Sequence, residues 1–106
     1  MKPYVVNAVN DFARASSKIP GTAISSVLVN DSLGSMRATP ANVQLSLLSL
    51  SPPTQGIRLD LSDGSVDVTQ KVDSVTYTLV YQICEIASLS NCDQATVTLE
   101  LTGGGN

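Results

Sequence analysis

Two segments near the end of the sequence alternate apolar and polar residues, and this pattern constrains the fold more than any other feature. A period of two places every second side chain on the same face of an extended strand, so one face is buried and the other exposed. Residues 75–84 and 95–102 are therefore predicted to be the last two strands, joined as a hairpin. The inward positions are Val75, Tyr77, Leu79, Tyr81 and Ile83 in the first strand and Ala95, Val97, Leu99 and Leu101 in the second.

A second hairpin is predicted over residues 56–69, where two short alternating runs flank an Asp63-Gly64 pair. Asp-Gly favours a two-residue type I′ loop, since both positions of that loop require positive φ. Such a loop sets Leu61 opposite Val66, so that both strands direct apolar residues to one face.

The first half of the chain contains three further predicted strands, separated by turn residues. In the third of them the apolar phase shifts between Leu47 and Leu48, which indicates a β-bulge. No segment has the apolar stripe of an amphipathic helix, so we expect an all-β, Ig-like Greek-key β-sandwich of about seven strands. One domain over residues 1–102 is expected, with a flexible linker stub over 103–106. The upstream strands are predicted at residues 4–9 with 12–16 (one broken strand), 22–29 and 42–50.

Charge and composition exclude several classes of function. The net charge is −3 and the six basic residues are scattered, so nucleic acid would meet no positive stripe. No run reaches the ~20 apolar residues of a membrane helix, so direct membrane insertion is not expected. The start of the sequence lacks the apolar region of a signal peptide. We interpret the chain as an internal segment of a longer secreted protein.

Catalysis is not expected. The chain has no histidine, and nothing in the sequence marks one of its serines or threonines as an activated nucleophile. The predicted hairpin register sets Asp60 opposite Asp67, with Arg58 on the diagonal. A glycosidase-like carboxylate pair needs a cleft that raises one pKa, and an open strand face offers none. The same two carboxylates supply too few of the roughly 6–8 oxygens that calcium takes.

Cys84 and Cys92 are the only cysteines, and seven residues lie between them. They stand at facing ends of the last predicted hairpin, which brings their side chains together and favours a structural disulfide over two free thiols. Zinc lacks ligands here, and the spacing is not that of a redox motif. A disulfide indicates an oxidising, extracellular compartment.

Several short motifs follow one another in a recognisable order. The most specific is Tyr81-Gln82-Ile83-Cys84-Glu85, followed by Asn91-Cys92-Asp93 and an alternating final strand. Weaker motifs are the Val29-Asn30-Asp31 and Asp63-Gly64-Ser65-Val66 segments. This order, over nearly the whole chain, resembles the cadherin-like or Ig-like tandem repeats of large bacterial surface adhesins, most closely the SprB-type gliding-motility adhesins.

The resemblance implies a structural or adhesive repeat in a long cell-surface filament, used in surface adhesion or gliding motility and free of catalytic residues. Its partners would be neighbouring repeats of the same chain and, through the parent adhesin, a surface polysaccharide or another cell-surface protein. The isolated module is expected to be a monomer. Many such repeats carry paired acidic residues near their start, whereas this chain has Asn10-Asp11, which argues against strong calcium dependence.

A calcium-binding, cadherin-like joint is one alternative function. Sandwich topology would bring several oxygen-bearing side chains to one pole, where a hard cation could bind. The competing interpretation is that these Asp and Asn residues only stabilise turns, so no cofactor is assigned. The calcium candidates are Asp11, Asn30, Asp31 and Asp93, with Asp63, Glu85 and Asn91 expected at the same pole.

A glycan-binding or protein-binding module is the other alternative. Glycan-binding sandwiches present exposed aromatic rings, but Tyr77 and Tyr81 are predicted in the core, which leaves only Tyr4 and Phe12. Protein contacts would use the loop 85–91, although its Ile86 and Leu89 are expected to fold back onto the core.

Overall fold

The computed structural model describes residues 5–103, and its largest sheet is built around the two alternating segments. They form the strands β9 (Thr76–Glu85) and β10 (Ser88–Thr102), which pair antiparallel. Their predicted inward side chains are buried except Val75, which precedes β9 and is exposed. The other elements are β1 (Val6–Asn7), β2 (Asp11–Ser16), β3 (Gly21–Ile24), a 3-10 helix (Val27–Asn30), β4 (Ser32–Leu33), β5 (Met36–Arg37), β6 (Val43–Ser51), β7 (Ile57–Leu59) and β8 (Val66–Val68).

These ten strands form three sheets, and seven of the strands have three or more residues. One sheet has the order β2-β10-β9-β6, with β2 parallel to β10, and a second has the order β3-β8-β7. Apolar side chains of these two sheets form one shared core, so the predicted all-β sandwich is confirmed. A small sheet of β1, β4 and β5 adds Val6 and Leu33 to that core.

The strand directions define two poles. The upper pole is the end where β9 finishes and where β6 and β10 begin, and the lower pole is the opposite end. β2 runs parallel to β10, so the chain enters the sandwich from the upper pole and leaves it at the lower pole. The molecule is elongated, with dimensions of 56 × 21 × 19 Å.

Two local predictions for the first half of the chain have different outcomes. The bulge in β6 is confirmed, because the register against β9 shifts between Leu47 and Ser49 and leaves Leu48 as the extra residue. The strand predicted over residues 22–29 is shorter, since β3 ends at Ile24. The Ser26 side chain accepts a hydrogen bond from the Leu28 N–H (3.1 Å) and so starts the 3-10 helix instead.

The β7–β8 hairpin forms, but the predicted register is wrong. Arg58 lies opposite Asp67, and the Asp60 N–H donates to the Ser65 carbonyl (2.8 Å), so four residues rather than two form the loop. A type I′ loop needs positive φ at both central positions, whereas among the described residues only Gly64 in this loop has it (φ 80°). Leu61 is consequently exposed instead of facing Val66.

The disulfide between Cys84 and Cys92 is confirmed, and it joins two residues that pair directly across β9 and β10. Their Cα atoms lie 4.0 Å apart. Between the bridge and the turn, the register of the two strands shifts, so the hairpin tip is irregular. The bridge therefore closes the tip at the point where regular pairing stops.

We expect a C84S/C92S double variant to lose about 2–3 kcal/mol of unfolding free energy, because the unfolded chain regains the entropy of an open loop. Urea unfolding of the oxidised wild type and of the double variant measures this difference. Reductant should lower the stability of the wild type and leave the double variant unchanged. Equal stability of oxidised and reduced wild type would show that the bridge contributes nothing.

Candidate functional site

The phenolic oxygen of Tyr81 lies at the centre of a polar network near the upper pole. The Tyr81 side chain is 0% exposed, and its hydroxyl donates to Oδ2 of Asp31 at 2.7 Å. Oδ2 of Asp11 lies 3.4 Å from the same hydroxyl oxygen. The tyrosine ring therefore packs in the core while its hydroxyl meets two carboxylates.

The carboxylates of this network hold the segment in which the chain passes from β1 to β2. Oδ1 of Asp31 accepts the Val9 N–H (2.8 Å), and Oδ2 of Asp93 accepts the Ala8 N–H (2.9 Å). Oδ1 of Asn10 accepts the Thr96 N–H (2.9 Å). Since β1 and β2 belong to different sheets, these side-chain bonds replace the strand pairing that residues 8–10 lack.

Burial and mutual repulsion raise the pKa values of two of the carboxyls above their usual range. Burial, together with the neighbouring Asp31 charge, raises the pKa of Asp11 to about 6, although the Asn30 amide donates to it at 2.8 Å. Burial also raises the pKa of Asp31, which is only 2% exposed, against the opposing effect of the Tyr81 hydrogen bond. The pKa of Tyr81 is raised as well, mainly by burial and then by Asp31. The hydroxyl is thus held as a neutral donor.

Asp11 and Asp31 lie beside the Tyr81 hydroxyl and Asn30 bonds to Asp11, whereas Asp93 is linked to this network only through the Ala8 N–H. The other acidic groups expected nearby make separate contacts. Oδ1 of Asp63 accepts the Ser65 N–H within the β7–β8 loop (2.8 Å), and Oε1 of Glu85 accepts from the Asn91 amide (3.0 Å). Neither contact includes Asp11, Asn30, Asp31 or Asp93.

The donor pattern of the network fits a structural role better than a cation site. Both oxygens of Asp31 and Oδ1 of Asp11 accept from protein donors, while Oδ2 of Asp11 lies 3.4 Å from the Tyr81 hydroxyl, whose single proton is donated to Asp31. No buried side-chain N or O atom within residues 5–103 lacks a partner. The same residues contain no group of three or more cysteines or carboxylates placed to hold a metal ion. Calcium binding at these four residues stays a prediction.

The acidic pair considered for catalysis is not formed. Oδ1 of Asp60 accepts from the Ser62 hydroxyl at 2.6 Å and from the Ser62 N–H at 2.9 Å, and these two contacts lower the pKa of Asp60. Oδ1 of Asp67 accepts from the Thr22 hydroxyl at 2.8 Å. The corrected register places these carboxylates at different positions along the hairpin, where they do not face one another.

The aromatic and apolar side chains that were considered for glycan or protein binding are only partly where the sequence predicts them. Phe12 is 59% exposed on the four-stranded sheet with the Arg14 guanidinium over its ring, and Tyr4 lies outside the described residues. Tyr77 is buried, as predicted. The prediction that Ile86 and Leu89 fold back onto the core is wrong, since their side chains are 48% and 57% exposed. Sequence periodicity alone did not predict that these two candidate contact residues are exposed.

Comparison with known proteins identifies the architecture. No family model matches the sequence, and no curated protein matches it. Among solved structures, the third cadherin domain of human protocadherin 7 is similar with a TM-score of 0.68 at 12% identity, covering 99% of this chain and 89% of that one. The fold is cadherin-like.

Two longer proteins contain a domain of the same shape. The human desmocollin-1 ectodomain matches with a TM-score of 0.65 at 15% identity, and the protocadherin γB4 extracellular domain with 0.62 at 10%. Each match covers 93% of this chain, which spans only 20% and 17% of those chains. The chain therefore has the size of one cadherin-like domain. Among residues 5–103, no helix is long and apolar enough to cross a membrane.

Replacing Tyr81 with Phe should lower the unfolding free energy by about 1–3 kcal/mol, because the buried Asp31 carboxylate loses its donor. Tyr77→Phe is the matched control, since Tyr77 is buried on the same strand but lies outside the network. Chemical unfolding of both variants measures the difference. Equal losses for the two variants would assign the effect to packing and not to the hydrogen bond.

Stability should fall as pH rises from about 4 to about 7. The pKa of Asp11 is about 6 in the folded chain against 3.8 for the free side chain, so in this window the folded state holds a proton that the unfolded state has released. The raised pKa of Asp31 acts in the same direction, while the lowered pKa of Asp60 acts only below this window. Thermal melts at pH 5 and pH 7 test the sign. Asp11→Asn should reduce the dependence, and a wild-type melting temperature that rises with pH would contradict it.

Proposed function

We propose that this chain is one non-catalytic, cadherin-like module of an extracellular adhesion-type protein, in which it serves as a spacer between neighbouring modules. The observation that carries the proposal is the placement of chain entry and exit at opposite poles of an elongated sandwich. Each module built in this way would lengthen a filament by about its own longest dimension. The disulfide supports an extracellular location.

Two features of the described residues argue against sugar recognition. The polar network is internally paired, and the exposed ring of Phe12 is covered on one face by Arg14. An aromatic platform for sugars would need a free ring face. The spacer role is therefore preferred over glycan recognition.

The kind of parent protein is inferred from the sequence resemblance. The motif order is similar to that of SprB-type gliding-motility adhesins, and we propose that the parent protein is a bacterial surface filament of this kind. Its ligand, a polysaccharide or another surface protein, would then be bound elsewhere in the parent.

A module swap in the parent protein separates the spacer role from a binding role. Deleting the codons of this chain should shorten the parent and reduce adhesion or gliding. Replacing them with a cadherin domain of similar length should restore most of the lost activity, because a spacer contributes length and stiffness and not a specific surface. Restoration only by the original chain would refute the spacer role. Antibody labelling of intact cells is the control for surface location.

The calcium joint is the second candidate, because Asp11, Asn30 and Asp31 lie together beside Tyr81 and both of their carboxyls resist ionisation. A divalent cation would favour the ionised carboxylates, but it would have to compete with the donors already in place. We therefore expect about 1 mM calcium, a concentration at which extracellular calcium modules bind, to leave the melting temperature unchanged. A rise that magnesium does not reproduce and that Asp93→Asn abolishes would favour the joint.

A further inference from the structure

The disulfide between Cys84 and Cys92 lies on the outer face of the four-stranded sheet and not in the sandwich core. Tyr81 and Ile83 face the core, so Cys84, which follows Ile83 on β9, points to the opposite face. Cys84 is only 8% exposed, yet it is not a member of the core cluster. A bridge on the surface of a sheet can be reached by reagents in solution.

The two sulfurs of the bridge are not equally accessible. β6 runs alongside β9 and sets Gln44 directly opposite Cys84, which is buried. On the other side of the hairpin, β2 pairs with β10 only from Val97 onward, so no strand of the described residues lies beside Cys92, which is exposed. The rate of thiol–disulfide exchange depends on access to the attacked sulfur. The sulfur of Cys92 is therefore the point of attack.

The sulfur of Cys84 has a hydrogen-bond donor that favours its departure as a thiolate. The Nε2 amide of Gln82 donates to Sγ of Cys84 at 3.1 Å. The Oε1 atom of Gln82 accepts from the Gln94 amide at 3.4 Å, which orients the Gln82 NH₂ group towards the sulfur. Negative charge develops on the leaving sulfur as the bond breaks, and a donor already in place stabilises that charge.

We propose that Cys92 is a modification site for small thiols. The thiolate of the reagent attacks Sγ of Cys92 and forms a new S–S bond with it, while the bond to Cys84 breaks and its electron pair stays on Cys84. The products are a mixed disulfide on Cys92 and a thiolate on Cys84, which takes up a proton from water. One disulfide is consumed and one is formed, so the thiol is the only reagent needed. This site does not depend on the spacer role.

Opening the bridge would release the hairpin tip and leave the rest of the sheet paired. Beyond the bridge, β9 and β10 share only the pair of Ser88 with Glu85, whereas on the other side their pairing continues from Asp93 to Glu100. The tip includes Ile86 and Ala87, which line an apolar groove of about 290 Å³. Thiol exchange would therefore change the shape of this surface without unfolding the domain.

Trapping of the mixed disulfide tests the point of attack. The oxidised 106-residue chain is exposed briefly to β-mercaptoethanol, free thiolates are blocked with N-ethylmaleimide, and a protease that cleaves after Glu85 separates the two cysteines for mass spectrometry. The mercaptoethanol adduct should be on Cys92, in roughly tenfold excess over an adduct on Cys84, because access decides which sulfur is attacked. Equal amounts of the two adducts, an excess on Cys84, or a bridge that does not react would overturn the proposal.

Two matched variants test the leaving group. Gln82→Leu removes the donor to Cys84 and should slow the opening about fivefold, the equivalent of one hydrogen bond, with the adduct still on Cys92. Gln44→Leu should react at the wild-type rate, because within the described residues Gln44 makes no hydrogen bond to either sulfur although it lies opposite Cys84. Chemical unfolding of both oxidised variants controls for a loss of stability. A wild-type rate for Gln82→Leu would overturn the role of Gln82.

Backbone amide NMR spectra of the oxidised and the reduced chain test how far the opening extends. The signals of residues 85–91 should shift on reduction, whereas those of Val97 and Leu99 should stay in place. Shifts that spread through both sheets would overturn the local release of the tip.

Discussion

The buried hydrogen bond from Tyr81 to Asp31 is the interaction on which the rest of this sandwich depends. The first strand must leave one sheet and join another, and at that crossing the backbone of residues 8–10 has no strand partner. Asp31 satisfies the Val9 N–H with one oxygen and the Tyr81 hydroxyl with the other, so one carboxylate fixes the crossing to the central strand. The cost is a buried acid with a raised pKa.

Sequence periodicity was sufficient for much of the fold. The faces of β9 and β10, the bulge after Leu47 and the disulfide all follow from local alternation and spacing, which encode which side of a strand is buried. The β7–β8 register was not predictable in the same way, since it depends on which loop residues accept positive φ, and only Gly64 does. Tyr81 was counted as a core residue, but its partner Asp31 lies 50 residues away, and no local pattern reports a contact of that range.

Oxygen-rich side chains that gather at one pole can form either a cation site or a structural hydrogen-bond network. The hydrogen-bond donors around the carboxylates distinguish the two. A cation site leaves carboxylate oxygens for the ion, whereas a structural network fills them with N–H and O–H groups. Three of the four carboxylate oxygens of Asp11 and Asp31 accept a hydrogen bond from a protein donor, so the structural network is the interpretation that these residues favour.

The parallel pairing of β2 with β10 has a mechanical consequence. These strands lie near the two ends of the described sequence, and six residue pairs join them side by side. A pull on the chain from opposite poles would slide the two strands past each other, loading all of their hydrogen bonds together instead of opening them one by one. The disulfide between Cys84 and Cys92 also prevents the tip of the β9–β10 hairpin from extending under such a pull. The pairing of β2 with β10 would therefore resist tension along the long axis as one unit.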